Sequence, residues 1–208
     1  LSTASNGGKG FMSFDSALAE SISVAAAARE NDTGLSGITT GLRDLDQQLG
    51  GLHNSDLIIL AGRPSMGKTA LATNIAFYAA LAKRAGAKYG ASVGVSSLEM
   101  STEQLATRLL AQEAGIPSHK IRQGTIKGDE FQRLVDVSRD LLKIPLYIDD
   151  TPALTVSALR ARARRLKKQH GLDLIIIDYL QLLQPPESKR SDGRVQEISE
   201  ITRGLKAL

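Results

Sequence analysis

Residues Gly62-Arg63-Pro64-Ser65-Met66-Gly67-Lys68-Thr69 place two glycines with four residues between them and close on Lys-Thr. That spacing suits a phosphate chain. Glycines let successive backbone N–H groups curl around the phosphate oxygens, and a helix starting at the lysine adds the positive end of its dipole. In such a loop Lys68 reaches the β- and γ-phosphates and the Thr69 hydroxyl ligates Mg²⁺, with the contact surface running from Gly62 through Ala70. The context is the required one, because apolar Leu57–Ala61 precedes the loop and a helical pattern on Leu71, Ile75, Tyr78 and Ala82 follows it.

A magnesium ion needs a second protein oxygen, and Leu174-Ile175-Ile176-Ile177-Asp178 offers one. Four apolar residues bury a strand and deliver Asp178 at its carboxyl end, the Walker B arrangement. Tyr179 and Leu180 follow. No glutamate stands directly after the aspartate to orient an attacking water, so the general base must come from elsewhere. Glu99 follows Val93–Ser97 of an expected strand, which brings it to the carboxyl edge of a sheet, where ligands of open α/β folds bind. An acid there also favours the dipole of a helix starting near Ser101, and this structural role competes with the catalytic one.

These residues require elements to hold them. Short β runs alternate with helical patterns from residue 37 onward, the signature of a parallel sheet covered by helices. Strands are expected at Leu57–Ala61, Ser92–Ser97, Leu146–Asp149 and Leu172–Asp178. Ser101 with Gln104 forms a capping box, Asp129 and Thr155 are N-cap candidates, and Gly171 is placed to end the helix begun at Thr155. A last amphipathic helix uses Val195, Ile198, Ile201 and Leu205. Upstream, Ala4–Gly10 has linker composition, and Phe14, Leu18, Ile22 and Ala25 draw an apolar stripe along a helix from about Ser13 to Glu30. That stripe must dock on this chain or on a neighbouring subunit.

Composition narrows the classes. Of the 208 residues 42% are hydrophobic, enough to fill a core, and the longest apolar stretches are strand-sized, far short of the roughly 20 residues a membrane helix needs. No membrane span is expected. The absence of cysteine excludes disulfides and thiolate zinc sites and agrees with a cytoplasmic location. Net charge is +4, whereas aromatics are only 4%, which argues against a surface that stacks many bases.

Several segments together resemble the motor of DnaB-type replicative DNA helicases. They are Gly37-Ile38-Thr39-Thr40-Gly41-Leu42-Arg43-Asp44-Leu45-Asp46, Gly50-Gly51-Leu52, Ala61 through Ala72, Ser97-Leu98-Glu99-Met100, and Ile176-Ile177-Asp178-Tyr179-Leu180-Gln181. The resemblance runs from about Phe14 to Leu208. It implies a RecA-like P-loop fold, mostly parallel with helices on both faces and preceded by a linker helix. Residues 1–36 would be linker and 37–208 an ATPase domain incomplete at its carboxyl end. It further implies ATP and Mg²⁺, a homo-hexameric ring with ATP hydrolysed between subunits, translocation on single-stranded DNA, and primase and a helicase loader as partners. In that family the glutamate matching Glu99 activates the water, and the helix matching Ser13–Glu30 packs on the adjacent subunit. Further strands carry a phosphate-sensing glutamine, an arginine finger and DNA-contacting loops, and one of them lies between the P-loop strand and the Walker B strand. None of these lies within the 208 residues.

Gln184–Arg194 reads as a loop in which Lys189, Arg190 and Arg194 could follow a DNA backbone, by phosphate contact alone since no aromatic is present; a solvated loop is the alternative. Arg160, Arg162, Arg164, Arg165, Lys167 and Lys168 crowd one helix whose apolar face is Val156, Leu159, Ala163 and Leu166, a pattern that more commonly marks a solvated face. Two other functions remain open: a RecA-like filament or clock protein using ATP as an assembly switch, and a non-catalytic polypeptide that keeps nucleotide binding or subunit contacts. The segments at Gly37–Asp46 and Ser97–Met100 favour the helicase.

Overall fold

The computed structural model describes residues 13–29, 34–183 and 194–208. The elements, in order, are α1 (Phe14–Arg29), α2 (Arg43–Leu49), α3 (Lys68–Arg84), β1 (Val93–Ser97), α4 (Thr102–Ala114), α5 (Ser118–Gln123), α6 (Gly128–Leu141), β2 (Leu146–Asp149), α7 (Val156–His170), β3 (Leu174–Asp178), a 3-10 turn at Leu180–Leu182, and α8 (Arg194–Lys206). The strands form a parallel sheet in the order β2-β1-β3. Val93 pairs with Leu146 on one side and Leu174 on the other, and Ser97 pairs with Asp178.

The pleat divides the apolar residues between two layers, because successive side chains of a strand point to opposite faces. Val93, Val95, Leu146, Ile148, Leu174 and Ile176 pack with α3 and with Leu105 of α4. Ile175 and Ile177 join Leu159 of α7, Ile201 and Leu205 of α8, and Leu183 on the other face. Helices therefore cover both sides of the sheet. A satellite cluster of Ala114, Ile116 and Leu134 joins α4, α5 and α6.

Helix α3 buries a different face from the one its sequence period suggests. Thr73, Ala76, Phe77, Ala79 and Ala80 are buried, whereas Leu71, Ile75, Tyr78 and Ala82 are only half-buried. The small alanines let the helix lie close to the sheet, and Phe77, with no exposed surface, contributes about 2 to 3 kcal/mol by burial. Tyr78 meets the segment before α2 instead. Gly41 has φ +75°, and a Cβ on it would lie 2.3 Å from Cβ of Tyr78. That segment is tied down by Asp46, whose carboxylate accepts hydrogen bonds from the Thr39 hydroxyl (2.6 Å), the Thr40 N–H (2.8 Å) and the Thr40 hydroxyl (2.7 Å). Thr39 N–H also donates to the Tyr89 carbonyl (2.9 Å), and Ile38 forms an antiparallel bridge with Leu52.

Three expectations need correction. Leu57–Ala61 is not a strand: it runs without ladder partners, and Leu57, Ile58, Ile59 and Leu60 are all exposed, Ile59 by 64%. A strand requires a neighbour to take its N–H and C=O groups, and an apolar run shows the capacity for burial without showing who supplies the neighbour. The two strands that lead to the site start later than expected, β1 at Val93 rather than Ser92 and β3 at Leu174 rather than Leu172. The N-cap of α6 is Lys127, not Asp129; Glu130 reaches back from the first turn to accept the Lys127 N–H at 2.8 Å. The other signals hold: Ser101 and Gln104 make a reciprocal capping box, the Thr155 hydroxyl accepts the Ala158 N–H, and Gly171 ends α7. Helix α1 forms, with Phe14, Leu18 and Ile22 exposed by 77%, 47% and 68%.

Replacing Gly41 by alanine forces a Cβ into Tyr78 at a left-handed backbone position, a combination that costs about 2 kcal/mol or more. A fall in the denaturant midpoint of the full-length protein is expected, and an unchanged midpoint would show that the segment moves away freely.

Candidate functional site

Helix α3 runs antiparallel to the strands it covers. Near its C-terminus the Ala79 carbonyl accepts the Ala91 N–H at 2.9 Å, just before β1 starts, and Lys83 Nζ lies 3.5 Å from Asp173 Oδ2, just before β3 starts. Those contacts fix the C-terminal end of α3 at the amino edge of the sheet. From Lys83 back to Lys68 the helix rises about 22 Å, and from Asp173 to Asp178 the strand rises about 17 Å. The start of α3, with Lys68 and Thr69, therefore reaches the carboxyl edge, where β3 delivers Asp178 and β1 leads into Glu99.

The loop before α3 has the backbone its glycines permit. Ser65 has φ +64° and Gly67 has φ +84°, and a Cβ on Gly67 would meet nothing within 4 Å, so conformation rather than crowding selects glycine there. Residues Gly62 to Gly67 are exposed, and Lys68, Thr69 and Ala70 are half-buried. Lys68 Nζ spans the loop, donating to the Gly62 carbonyl at 2.9 Å and the Arg63 carbonyl at 3.1 Å. The Thr69 carbonyl accepts from the Thr73 hydroxyl, which leaves the Thr69 side chain out of that bond.

Asp178 is buried, with 8% exposure, and its Oδ2 has no hydrogen-bond partner within the described structure. A buried carboxylate oxygen without a donor costs several kcal/mol as a charge unless a cation neutralises it. The oxygen set of Thr69 and Asp178 fits a hard ion such as Mg²⁺, which takes one or two protein oxygens and completes its shell with phosphate and water. Glu99 lies one residue past Leu98, whose N–H donates to the Asp178 carbonyl at 2.7 Å, so β1 and β3 stay paired up to the threshold of the site. The Glu99 side chain is exposed.

Compared with known sequences, residues 37–208 match the DnaB-like helicase C terminal domain. The chain belongs to the DnaB-like helicase family. It is 48% identical over 204 residues to a replicative DNA helicase DnaB of Rickettsia bellii, covering 96% of this chain and 41% of that protein. To the DnaB of Geobacillus stearothermophilus it is 44% identical over 177 residues, 85% of this chain and 37% of that one. The chain thus spans about two fifths of the length of these relatives. A solved ATPase domain superposes with a TM-score of 0.80 at 28% identity, covering 95% of this chain and 67% of that one. A solved DnaB-like replicative helicase, described with its interactions with primase, gives 0.76 at 28% identity over 96% of this chain and 46% of that one. The fold is RecA-like.

In the DnaB-like chain, β3 ends at Asp178 and β1 leads into Glu99 at the carboxyl edge of the sheet, the edge toward which the start of α3 is directed. Lys189 and Arg190 lie outside the described residues, and Arg194 is the first residue of α8. Arg162, from the basic run of α7, braces the corner after β2. Its Nη1 lies 2.8 and 2.6 Å from the two carboxylate oxygens of Asp149 and 2.6 Å from the Thr151 hydroxyl. Arg160 donates to the Gly204 carbonyl of α8 at 2.9 Å. Arg164, Arg165, Lys167 and Lys168 are exposed, as expected of a solvated face. Sequence reasoning missed the Asp149-Asp150-Thr151 corner, although polar residues directly after an apolar strand are the available signal.

Burial pushes the Asp149 carboxyl up, but hydrogen bonds from Thr151 and Arg162 outweigh it and hold the carboxyl below the ordinary carboxylate range. Its folded-state pKa is depressed, so the associated stability is fully present above the unfolded value near 4 and is lost as pH falls through the folded value. Arg162→Gln should therefore destabilise the protein by about 1 kcal/mol at pH 7. The gap from the parent should narrow in urea melts at progressively lower pH below about 4. A gap independent of pH would assign the loss to packing of the arginine stem.

Proposed function

We propose that this chain is the motor of an ATP-dependent replicative DNA helicase, which hydrolyses ATP to translocate on single-stranded DNA and unwind duplex DNA. The observation that carries the reading is a buried Asp178 oxygen without a hydrogen-bond partner among the described residues, at the end of the strand paired with the one that leads to the exposed Glu99.

In this reading Gly62, Arg63, Pro64, Ser65, Met66, Gly67 and Ala70 surround the phosphates with backbone N–H groups wherever the residue carries one. Lys68 exchanges its two carbonyl partners for the β- and γ-phosphates. Thr69 and Asp178 hold Mg²⁺, which when bound neutralises charge on the phosphate oxygens. Glu99 takes the proton of the attacking water. Its exposure suits that role, because a base must reach a water in the nucleotide cleft rather than a fixed protein partner.

Assembly follows from α1 and from the family. The exposed Phe14, Leu18 and Ile22 support packing of this helix on a neighbouring subunit of a homo-hexamer. Lys189, Arg190 and Arg194 would contact the DNA backbone by charge. Primase and a helicase loader are the expected partners, and the cytoplasm the expected compartment. Among the described residues no helix is long and apolar enough to cross a membrane.

ATP-driven separation of a forked DNA substrate by the full-length protein tests the reading. Lys68→Ala should abolish it together with ATP turnover, because it removes the charge that meets the phosphates. Strand separation near the parent rate in that variant would overturn the assignment. Glu99→Gln should keep nucleotide affinity and lose turnover by about 100-fold or more, since an amide preserves size but cannot accept the proton. Normal hydrolysis in Glu99→Gln would place the base elsewhere. ATP turnover without any strand separation would favour an ATP-switched assembly instead.

A further inference from the structure

Between β1 and α4 the chain turns through Leu98, Glu99, Met100 and Ser101. The Glu99 carboxylate has no hydrogen bond or ion pair among the described residues. A side chain without a partner samples several rotamers, so what the fold fixes is where its Cα stands, and for Glu99 that is set by whatever fastens this turn. The entry is fastened twice. Leu98 N–H donates to the Asp178 carbonyl at 2.7 Å, and the Ser97 hydroxyl, with the residue 1% exposed, donates to the Met100 carbonyl at 2.6 Å. The exit is fastened from a different strand: Thr102 N–H donates to Asp150 Oδ2 at 2.8 Å, and Asp150 directly follows β2. The same N–H holds the Asp150 carboxyl below the ordinary carboxylate range.

The capping box of α4 leaves the Thr102 N–H unclaimed, and Asp150 takes it from another strand. Ser101 accepts the Gln104 N–H at 3.2 Å, and Gln104 returns an oxygen to the Ser101 N–H at 3.1 Å. What Asp150 adds is a tether across the sheet, from the end of β2 to the end of the turn that carries Glu99. We propose that Asp150 is a positioning residue for Glu99, its carboxylate holding the Thr102 N–H so that the Leu98–Ser101 turn presents the Glu99 carboxylate to the nucleotide cleft. This rests on the reading of Glu99 as the base that activates water. Together with the Leu98 bond to Asp178, the tether makes the turn a bridge whose two ends belong to the two strands flanking β1.

The test is a double-mutant cycle in the full-length protein, with steady-state ATP turnover, Mg²⁺-dependent binding of a fluorescent ATP analogue, and thermal melting measured for each variant. Asp150→Ala should lower kcat by about 10- to 100-fold, the range expected when a reacting group is displaced by an ångström. Affinity for the analogue should stay within about twofold. Asp150→Asn should recover most of the rate, because its Oδ1 accepts the same N–H. Thr102→Pro removes the donor itself at the first position of α4, where proline suits the helix, and should reproduce the loss of kcat without a large fall in melting temperature. In a Glu99→Gln background, Asp150→Ala should change the residual rate by less than about twofold, since nothing remains to be positioned. Parent-like kcat in Asp150→Ala or Thr102→Pro, or a lower melting temperature alone, would overturn the inference and leave Asp150 a structural tether. An equal further loss in the Glu99→Gln background would also overturn it, by showing that Asp150 acts independently. Should Glu99→Gln by itself hydrolyse ATP normally, the reading of the base fails first, and the positioning role falls with it.

Discussion

The parallel pairing of β1 with β3 is the constraint on which the site depends. Val93 to Ser97 align residue by residue with Leu174 to Asp178, and the Leu98 N–H extends the pairing by bonding to the Asp178 carbonyl. A slip of one residue would exchange the faces of every side chain on a strand, sending Ile175 and Ile177 to the α3 side and Asp178 away from the cleft. The two apolar layers forbid this slip because each face already has its helices. Burial of isoleucines thus fixes where a carboxylate stands, and the chemistry inherits its geometry from packing.

Helix α3 is the second member of that arrangement, and it is held at its far end. The Ala79–Ala91 bond and the Lys83–Asp173 pair sit at the amino edge of the sheet, about 20 Å of rigid helix away from the P-loop. Arg84 adds a bond to the Asp140 carbonyl at the end of α6. The loop itself can therefore be exposed and conformationally demanding without losing its position. On the outer side of α3, the segment closed by Asp46 approaches Tyr78 so nearly that Gly41 has no room for a side chain. In this way residues that never meet the nucleotide cleft press the helix onto the sheet.

Charge is used structurally before it is used for binding. In the basic run of α7, Arg162 closes the corner after β2 and Arg160 reaches α8, while four other cations remain solvated. The net charge of +4 already counts the Arg162–Asp149 pair as neutral, so the pair sets where positive charge stands on α7 rather than how much there is. Asp149 and Asp150 stand side by side yet serve different elements, one facing Arg162 and the other the start of α4.

Local chemistry was legible in the residues before any fold was known. The P-loop, the apolar strand ending in Asp178, the capping box at Ser101 and Gln104 and the cap at Thr155 are each specified by residues within a few positions of one another, where backbone sterics and short-range hydrogen bonds decide. Glu99 was legible as a candidate because a strand end and a helix start bracket it. Matters that need a distant partner were settled by tertiary packing. It chose which face of α3 is buried, the stripe of Thr73, Ala76, Phe77 and Ala80 rather than that of Leu71, Ile75, Tyr78 and Ala82, and it left Leu57–Ala61 unpaired, because hydrophobicity shows that a segment can be buried but not which strand will accept its hydrogen bonds. It also joined Asp150 to Thr102 across 48 residues of sequence, a contact that no local pattern encodes because it depends on β2 lying beside β1.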